Sequence, residues 1–155
     1  MSTEAATLLR PDSRPFTTGS AAYYDSGTPD QVLAEPRIHI RVELGDSDIE
    51  FLALVDSAAP WCILESRLVE AAQDQLEELP RDVAISTRLG RFEGRLYLGE
   101  LKLLPDDGEE LFVATTFFLS PEWPGGNFVG YVGFLDRFRF AVDPPENRFF
   151  FGAAD

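Results

Sequence analysis

Apolar and polar residues alternate along several short segments of the chain, which is the pattern of half-buried β-strands. The first segment is RIHIRVEL, residues 37–44, and the second is IEFLALV, residues 49–55, with GDSD between them. A short polar turn between two alternating segments is typical of a β-hairpin. The pattern therefore predicts a hairpin whose second strand ends at Asp56.

One segment has the period of an α-helix instead. Its apolar residues fall on one helical face, and they are Leu68, Ala71, Ala72, Leu76 and Leu79. Ser66 is a suitable N-cap and Pro80 cannot continue a helix, so both ends have a signal. We therefore expect one main helix over residues 67–79.

Beyond Pro80 the chain consists of short segments rich in β-branched and aromatic residues, separated by Gly, Pro and Asp. They are DVAISTRL, GRFEGRLYLGELKLL, ELFVATTFFL, NFVGYVGFL, RFRFAVD and NRFFFG. Regular turns between many short strands predict a mostly β domain, as a barrel or a sandwich. Residues 1–35 are mainly Ser, Thr, Ala, Gly, Pro and Asp without a sustained period, so we expect a flexible N-terminal arm before one domain over residues 36–155.

Composition removes several classes of function. The chain of 155 residues has a net charge of -14, which disfavours phosphate backbones and anionic membrane surfaces. Apolar runs stay well short of the ~20 residues of a transmembrane helix. We therefore expect neither nucleic acid nor membrane as a partner. A single cysteine and an N-terminus without a secretory pattern favour the cytoplasm.

The segment FLALVDSAAPWCIL, residues 51–64, places the carboxylate of Asp56 between apolar residues. Burying a carboxylate is costly unless hydrogen bonds satisfy it. Asp-Ser followed by Pro is also ordinary turn chemistry, so Asp56 is either a turn residue that ends a strand or a catalytic aspartate.

The segments LVDSAAPW and FVGYVGFLDRFRFAVDPPENRFFFG resemble the retropepsin-like aspartic proteases, and most of all their bacterial single-domain members. In that family an apolar strand leads into Asp, then Ser or Thr, Gly and usually Ala. An apolar residue and a glycine, here Val129 and Gly130, later precede a short helix. The resemblance covers about residues 37–152. It implies a closed β-barrel of the acid protease fold, a single lobe, with one main helix and a short C-terminal helix.

The resemblance implies an aspartic-type endopeptidase acting on polypeptides, without a metal or another cofactor. Two Asp56 carboxylates, one from each subunit of a homodimer, would share a proton and activate a water. Ser57 would brace the loop. Ala58 stands where the family has glycine, and a methyl group there would crowd the site or strain the backbone. The alternative is therefore a weakened or inactive dimer of the same fold that binds extended peptides.

The segment TRLGRFEGRLYL, which begins at Thr87, suggests a hairpin tip containing Gly90, Phe92 and Gly94. The family closes a flap over its substrate in this part of the chain, so these three residues, with Val129 and Gly130, are the expected substrate-binding set. An ordinary surface hairpin would show the same pattern. Closure of a flap would exclude water from the site.

Other chemically active residues have simpler interpretations. Asp25, Ser26 and Gly27 match the protease triplet, but no apolar strand surrounds them and a turn in the arm is expected. Cys62 and His39 both lie in strand-like segments without a third partner, which predicts a core thiol and not a nucleophile. Residues 106–110, DDGEE, lack the spacing of a calcium loop and predict a solvated turn without a metal.

Overall fold

The computed structural model describes residues 7–25 and 38–155. This part of the chain is mostly β, with one α-helix, α1 (Ser66–Gln73), and one 3-10 helix at Leu135–Arg137. The strands are β1 (Gly19–Ala22), β2 (Tyr24–Asp25), β3 (Ile38–Leu44), β4 (Glu50–Val55), β5 (Cys62–Ile63), β6 (Glu77–Thr87), β7 (Gly90–Leu103), β8 (Asp107–Gly108), β9 (Leu111–Leu119), β10 (Phe128–Val129), β11 (Phe138–Asp143) and β12 (Arg148–Ala153).

The strands form two sheets. The larger has the order β2-β3-β4-β10-β5-β9-β7-β6, and β3 pairs in addition with β7. The smaller has the order β11-β12-β1-β8. Strands β3 and β4 pair antiparallel from His39 opposite Leu54 to Glu43 opposite Glu50, which confirms the hairpin predicted before Asp56.

Two clusters of buried side chains lie among these strands. The main core joins both sheets, with Val42 and Leu44 of β3 packed in the same cluster as Phe149 and Phe151 of β12. Alternation along β3 therefore reports its buried face, as predicted. A second, separate group is built from Ile63, Ile85, Leu96, Phe118 and Trp123, with Trp61, Leu79, Val83, Phe92 and Phe128 packed against it. We call this second group the aromatic cluster.

The helix is shorter than its apolar pattern predicts. It ends at Gln73, and the chain enters β6 at Glu77 and passes through Pro80 as a strand. Strand β6 lies at the edge of the sheet, and its register against β7 shifts between Glu78 and Asp82. An edge strand with a bulge tolerates proline, because no ladder hydrogen bond from its nitrogen is needed. Pro80 therefore does not mark a helix end.

The start of the helix also differs from the prediction. Helical geometry begins at Ser66, so that Glu65 takes the N-cap position, and the Glu65 side chain makes no capping hydrogen bond. The predicted short C-terminal helix is a single 3-10 turn of three residues, Leu135–Arg137. Among the described residues, no helix has the length and apolar character needed to cross a membrane.

The prediction of a flexible arm is wrong for residues 7–25, which include two strands. Strand β1 lies between β12 and β8, with Gly19 opposite Phe151, and Ser20 is 3% exposed. Backbone of the preceding segment lies so close to β12 that a Cβ on Gly152 would be 1.7 Å from the carbonyl oxygen of Phe16. The four-residue strand GSAA has small side chains and no apolar alternation, so its sequence gives no strand signal. The remainder of residues 1–35 lies outside the described residues.

The acidic segment 106–110 is exposed, as expected, but it is more than a turn. Asp107 and Gly108 form β8 at the edge of the smaller sheet. The Asp106 carboxylate accepts a hydrogen bond from the Ala22 backbone amide at 2.6 Å, and Asp107 lies 3.2 Å from the Arg148 guanidinium. The acidic side chains thus attach the β7–β9 connection to β1 and β12.

Close packing of the N-terminal segment on β12 can be tested with a matched pair of glycine substitutions. Gly152→Ala places a methyl group against the Phe16 carbonyl and should destabilise the fold by ~1 to 3 kcal/mol. Gly126→Ala meets nothing within 4 Å and should be neutral or stabilising by up to ~1 kcal/mol. Urea unfolding measures both. Equal stability of the two variants would show that residues 15–18 are not docked on β12.

Candidate functional site

Asp56 follows directly after β4 and is held there by the neighbouring strand β10. The two strands run parallel, with Leu54 opposite Phe128 and Val55 opposite Val129. The Asp56 backbone amide donates to the Val129 carbonyl at 3.0 Å, which continues the pairing by one more bond. The position of the Asp56 backbone is therefore set by a strand that lies more than seventy residues later in the chain.

The Asp56 side chain closes a local turn. Its Oδ1 accepts a hydrogen bond from the Ala58 amide at 3.0 Å, and its backbone carbonyl accepts one from Ala59 at 3.1 Å. This is an Asx turn, the geometry expected of a turn residue. In this geometry Asp56 is partly exposed, and Ser57 and Ala58 are exposed. The carboxylate is thus both oriented by the turn and open to a ligand.

Gly130 permits the close contact that fixes this turn. A Cβ at position 130 would be 2.3 Å from the Trp61 carbonyl oxygen and 2.7 Å from that of Ala59. The next amide, of Tyr131, donates to the Ala59 carbonyl at 2.8 Å. Because no side chain fits between these groups, glycine is required here for packing.

Val129 supports the loop from the core. Its side chain is 1% exposed and belongs to the main core, so it is not open to a ligand. Both residues position the loop: the Val129 carbonyl holds the Asp56 amide, and Gly130 lets the loop approach. The substrate-binding role of Val129 and Gly130 stays a prediction.

Ala58 is not strained. Among the described residues other than glycine, positive φ angles occur only at Ser13 and Asn147. Ala58 therefore does not have the positive φ that favours glycine, and within one chain it is exposed. The expected strain at this position is absent.

The hairpin containing Gly90 is present. Strands β6 and β7 pair down to Thr87 opposite Gly90, which leaves Arg88 and Leu89 as a two-residue tip. Gly90 has φ +123, an angle open mainly to glycine, and it is exposed. Of the predicted set, Gly90 alone lies at the tip.

Phe92 and Gly94 contact the chain itself. The Phe92 and Trp123 rings make a T-shaped contact, with centroids 5.2 Å apart and planes at 88°. A Cβ at Gly94 would be 2.3 Å from the Leu119 carbonyl oxygen, so the hairpin lies tightly against β9 at this point. Trp123 gave no signal in the sequence, since its role depends on a contact with a hairpin thirty residues earlier.

Asn127 is a second residue that sequence reasoning missed. Its Oδ1 accepts a hydrogen bond from the Glu65 amide at 2.8 Å, and its Nδ2 donates to the Leu52 carbonyl at 3.3 Å. The Asn127 carbonyl also accepts from the Leu54 amide at 2.9 Å. Asn127, the residue directly before β10, thus binds β4 and the start of α1 through its side chain. Its only sequence signal is a polar residue placed directly before a two-residue apolar strand.

A cavity of about 800 Å³ lies away from the Asp56 turn. It is lined by Gln73, Glu78, Asp82, Val83, Ala84, Arg91, Glu93, Gly94, Arg95, Tyr97, Leu119 and Pro121. Arg95 forms ion pairs with Glu78 and, at 2.9 Å, with Asp82. The charged groups at this cavity are therefore partly engaged with one another, and the predicted catalytic residues do not line it.

Cys62 is a core thiol, as predicted. It lies in β5, is 0% exposed, and burial raises the pKa of its thiol to about 12. A thiol with so high a pKa is not ionised near neutral pH and is a poor nucleophile. His39 lies in β3 opposite Leu54.

Comparison of the sequence with protein-family models gave no match, and comparison with curated proteins gave none. The resemblance to the retropepsin-like proteases therefore rests on the two sequence segments alone, LVDSAAPW and FVGYVGFLDRFRFAVDPPENRFFFG.

The buried thiol makes a testable contribution to the pH dependence of stability. The Cys62 pKa is raised from 9.0 to about 12 in the folded chain, so folding favours the protonated thiol. This contribution is fully present below pH 9 and is lost as the pH rises toward 12. At about pH 10 the free energy of unfolding should therefore fall by ~1 kcal/mol through this group, measured by urea unfolding.

Cys62→Ala is the control for this measurement. The variant has a lower stability at every pH because it loses buried contacts, but the part of the alkaline loss that comes from the thiol should disappear. Identical pH profiles for the two proteins would contradict the burial of Cys62 as a protonated thiol.

Proposed function

We propose that this chain is a homodimeric, retropepsin-like aspartic endopeptidase. The observation that supports it best is the turn at Asp56, which is held by the parallel pairing of β4 with β10 and by the contact of Gly130 with the Ala59 and Trp61 carbonyls. The two segments that resemble the family are thereby brought together in space. A turn that merely ended a strand would not need a second, distant segment packed this closely against it.

The sheet topology is compatible with this proposal. Pairings run β3-β4-β10-β5-β9-β7 and return from β7 to β3, with Val42 opposite Leu103. In the proposed assignment these six strands make the closed barrel of the acid protease fold, and the enzyme acts in the cytoplasm. The Asp56 turn follows β4, one of the barrel strands.

The proposed chemistry requires two carboxyl groups, Asp56 and the partner subunit's Asp56. Two carboxylates close together hold one proton between them, because both cannot be ionised at low cost. The ionised carboxylate takes a proton from a water while the water oxygen bonds to the peptide carbonyl carbon. The protonated carboxyl gives its proton to the carbonyl oxygen. The C–N bond then breaks as the leaving nitrogen takes the proton that the first carboxyl removed from the water. One hydroxyl of the intermediate gives its proton to the other carboxylate, so the products are an amine and a carboxylic acid and the pair again holds one proton.

The surface around Asp56 has the features of an interface between copies. Ser57 and Ala58 are exposed, and Tyr131 and Val132, which follow Gly130, are 49% and 50% exposed. The Tyr131 amide binds the Ala59 carbonyl, so these apolar side chains are attached to the Asp56 turn. A two-fold axis beside this surface would cover them and bring two Asp56 residues together, with Ser57 bracing the turns.

A second candidate is a dimer of the same fold that binds extended peptides without cleaving them. The observation in its favour is Ala58, whose exposed methyl group lies two residues from the Asp56 carboxyl and would have a copy across the axis. Cleavage and binding of the same peptides separate the two candidates.

Asp56→Asn tests the catalytic role. The amide oxygen of asparagine still accepts a hydrogen bond from Ala58, so the fold and its melting temperature should be retained. Cleavage of a diverse peptide library by the parent chain, at about pH 4 to 6, should fall at least about a hundredfold in the variant, since the shared proton is lost. Peptide binding without cleavage by the parent chain would support the second candidate and exclude the enzyme.

Tyr131→Glu tests the proposed interface. A carboxylate from each subunit close to the axis should raise the dimer dissociation constant by about tenfold or more, and sedimentation across a concentration series measures this change. Phe112→Glu is the control, because Phe112 is an exposed aromatic residue at 41% on β9 and should leave dimerisation unchanged. A parent chain that is strictly monomeric at micromolar concentration would exclude a site built from one aspartate per subunit.

A further inference from the structure

The distal half of the β6–β7 hairpin, residues 83–94, is a ribbon of two strands. Strand β7 pairs with β9 only from Arg95 onward, opposite Leu119. In the described part of the chain, residues 90–94 have β6 as their one strand partner, and β6 is an edge strand. A ribbon of two strands is at best marginally stable without packing against another element.

Phe92 supplies much of that packing. Its ring makes a T-shaped contact with Trp123, which is 3% exposed. Trp123 in turn packs against Phe128, with ring centroids 5.9 Å apart. Ile85, opposite Phe92 in the ribbon, is 7% exposed and belongs to the same aromatic cluster. The ribbon is therefore packed against the rest of the chain through Ile85 and Phe92, whose side chains lie in the aromatic cluster.

The aromatic cluster reaches the Asp56 turn. Trp61, five residues after Asp56, stacks on Phe118 with centroids 6.4 Å apart and planes at 19°. Phe128 lies opposite Leu54, so its backbone is one strand across from β4 (~4.8 Å) and two residues along it from Asp56 (~6.6 Å). Trp61 and Phe128 therefore connect the aromatic cluster with the loop that contains Asp56 and with the strand beside it.

We propose that a peptide bound over Asp56 directs one neighbouring side chain at the aromatic cluster, and that Phe92, which packs on Trp123 in that cluster, determines specificity by restricting this side chain to small residues. The inference rests on the function proposed above. A glycine, alanine or serine side chain fits over the filled cluster. A phenylalanine side chain would have to displace Phe92, and its displacement would release the ribbon from Trp123.

Pairs of peptides that differ only by Ala or Phe at one position, taken position by position, test this inference. At one position the parent chain should cleave the Ala peptide with a kcat/KM at least about tenfold higher than the Phe peptide, because Phe92 already occupies the aromatic cluster. Phe92→Ala should lower that Ala/Phe ratio at least tenfold at the same position and at no other. Leu89→Ala is the matched control, since Leu89 lies at the tip of the same ribbon, is 60% exposed, and should keep the parent ratio.

A second readout requires no peptide. The chain has two tryptophans, so Trp61→Phe leaves Trp123 as the one fluorescent indole. In that background Phe92→Ala should increase the acrylamide quenching constant of Trp123 severalfold, whereas Leu89→Ala should not change it. Equal quenching in all three proteins would overturn the assignment of Phe92 as the cover of Trp123.

The outcomes separate this inference from the proposed function. An Ala/Phe ratio that is the same in the parent chain and in Phe92→Ala overturns the inference and leaves the protease standing. A parent chain that prefers Phe overturns it as well. If no variant cleaves any peptide, the proposed function fails, and the same peptide pairs are compared by fluorescence anisotropy as ligands. An unchanged Ala/Phe ratio of affinities would then overturn the specificity role of Phe92.

Discussion

The arrangement of the site depends on β10, a strand of only two residues. Phe128 and Val129 pair in parallel with β4 on one side, and Phe128 pairs antiparallel with β5 on the other. Since β4 ends directly before Asp56 and β5 begins directly after Trp61, this short strand fixes both ends of the loop that contains Asp56. So few ladder bonds cannot fix a strand alone. The side-chain hydrogen bonds of Asn127 at one end and the close contact of Gly130 at the other supply the remaining constraint.

The two faces of β10 divide the molecule. Val129 packs into the main core with both sheets, whereas Phe128 packs into the aromatic cluster with Trp61, Trp123 and the hairpin residue Phe92. Neighbouring residues of a strand point to opposite faces. Val129 therefore faces the main core, and Phe128 faces the aromatic cluster, which extends toward the Asp56 turn. Substitutions in the aromatic cluster can for this reason alter the surroundings of Asp56 while the main core stays packed.

Strands with one buried face could be predicted from the sequence, because alternation records burial directly. Strand β3 and its hairpin with β4 are the clearest cases. The conformation of the second half of the predicted helix could not be predicted from the sequence, since Leu76 and Leu79 suit a helical face and a strand equally. The pairing of β6 with β7 decides in favour of the strand. Strand β1 has only small residues, and its pairing with β12, which the sequence does not indicate, decides its conformation. Asp56 and Gly130 were recognisable from local motifs, whereas Trp123 and Asn127 act through contacts with distant segments.

The backbone conformation of Ala58 changes how its substitution for glycine is interpreted. Strain would have acted within each chain and would have argued against an intact loop, but the angle at Ala58 suits any residue and the methyl group is exposed. In the proposed two-fold dimer, the effect of Ala58 would therefore arise between chains. If the dimer brings two Asp56 carboxyls into hydrogen-bonding distance, two Ala58 methyl groups would lie near the same axis. The alanine would then limit how closely the subunits approach, and through that distance whether the two carboxyls could share one proton.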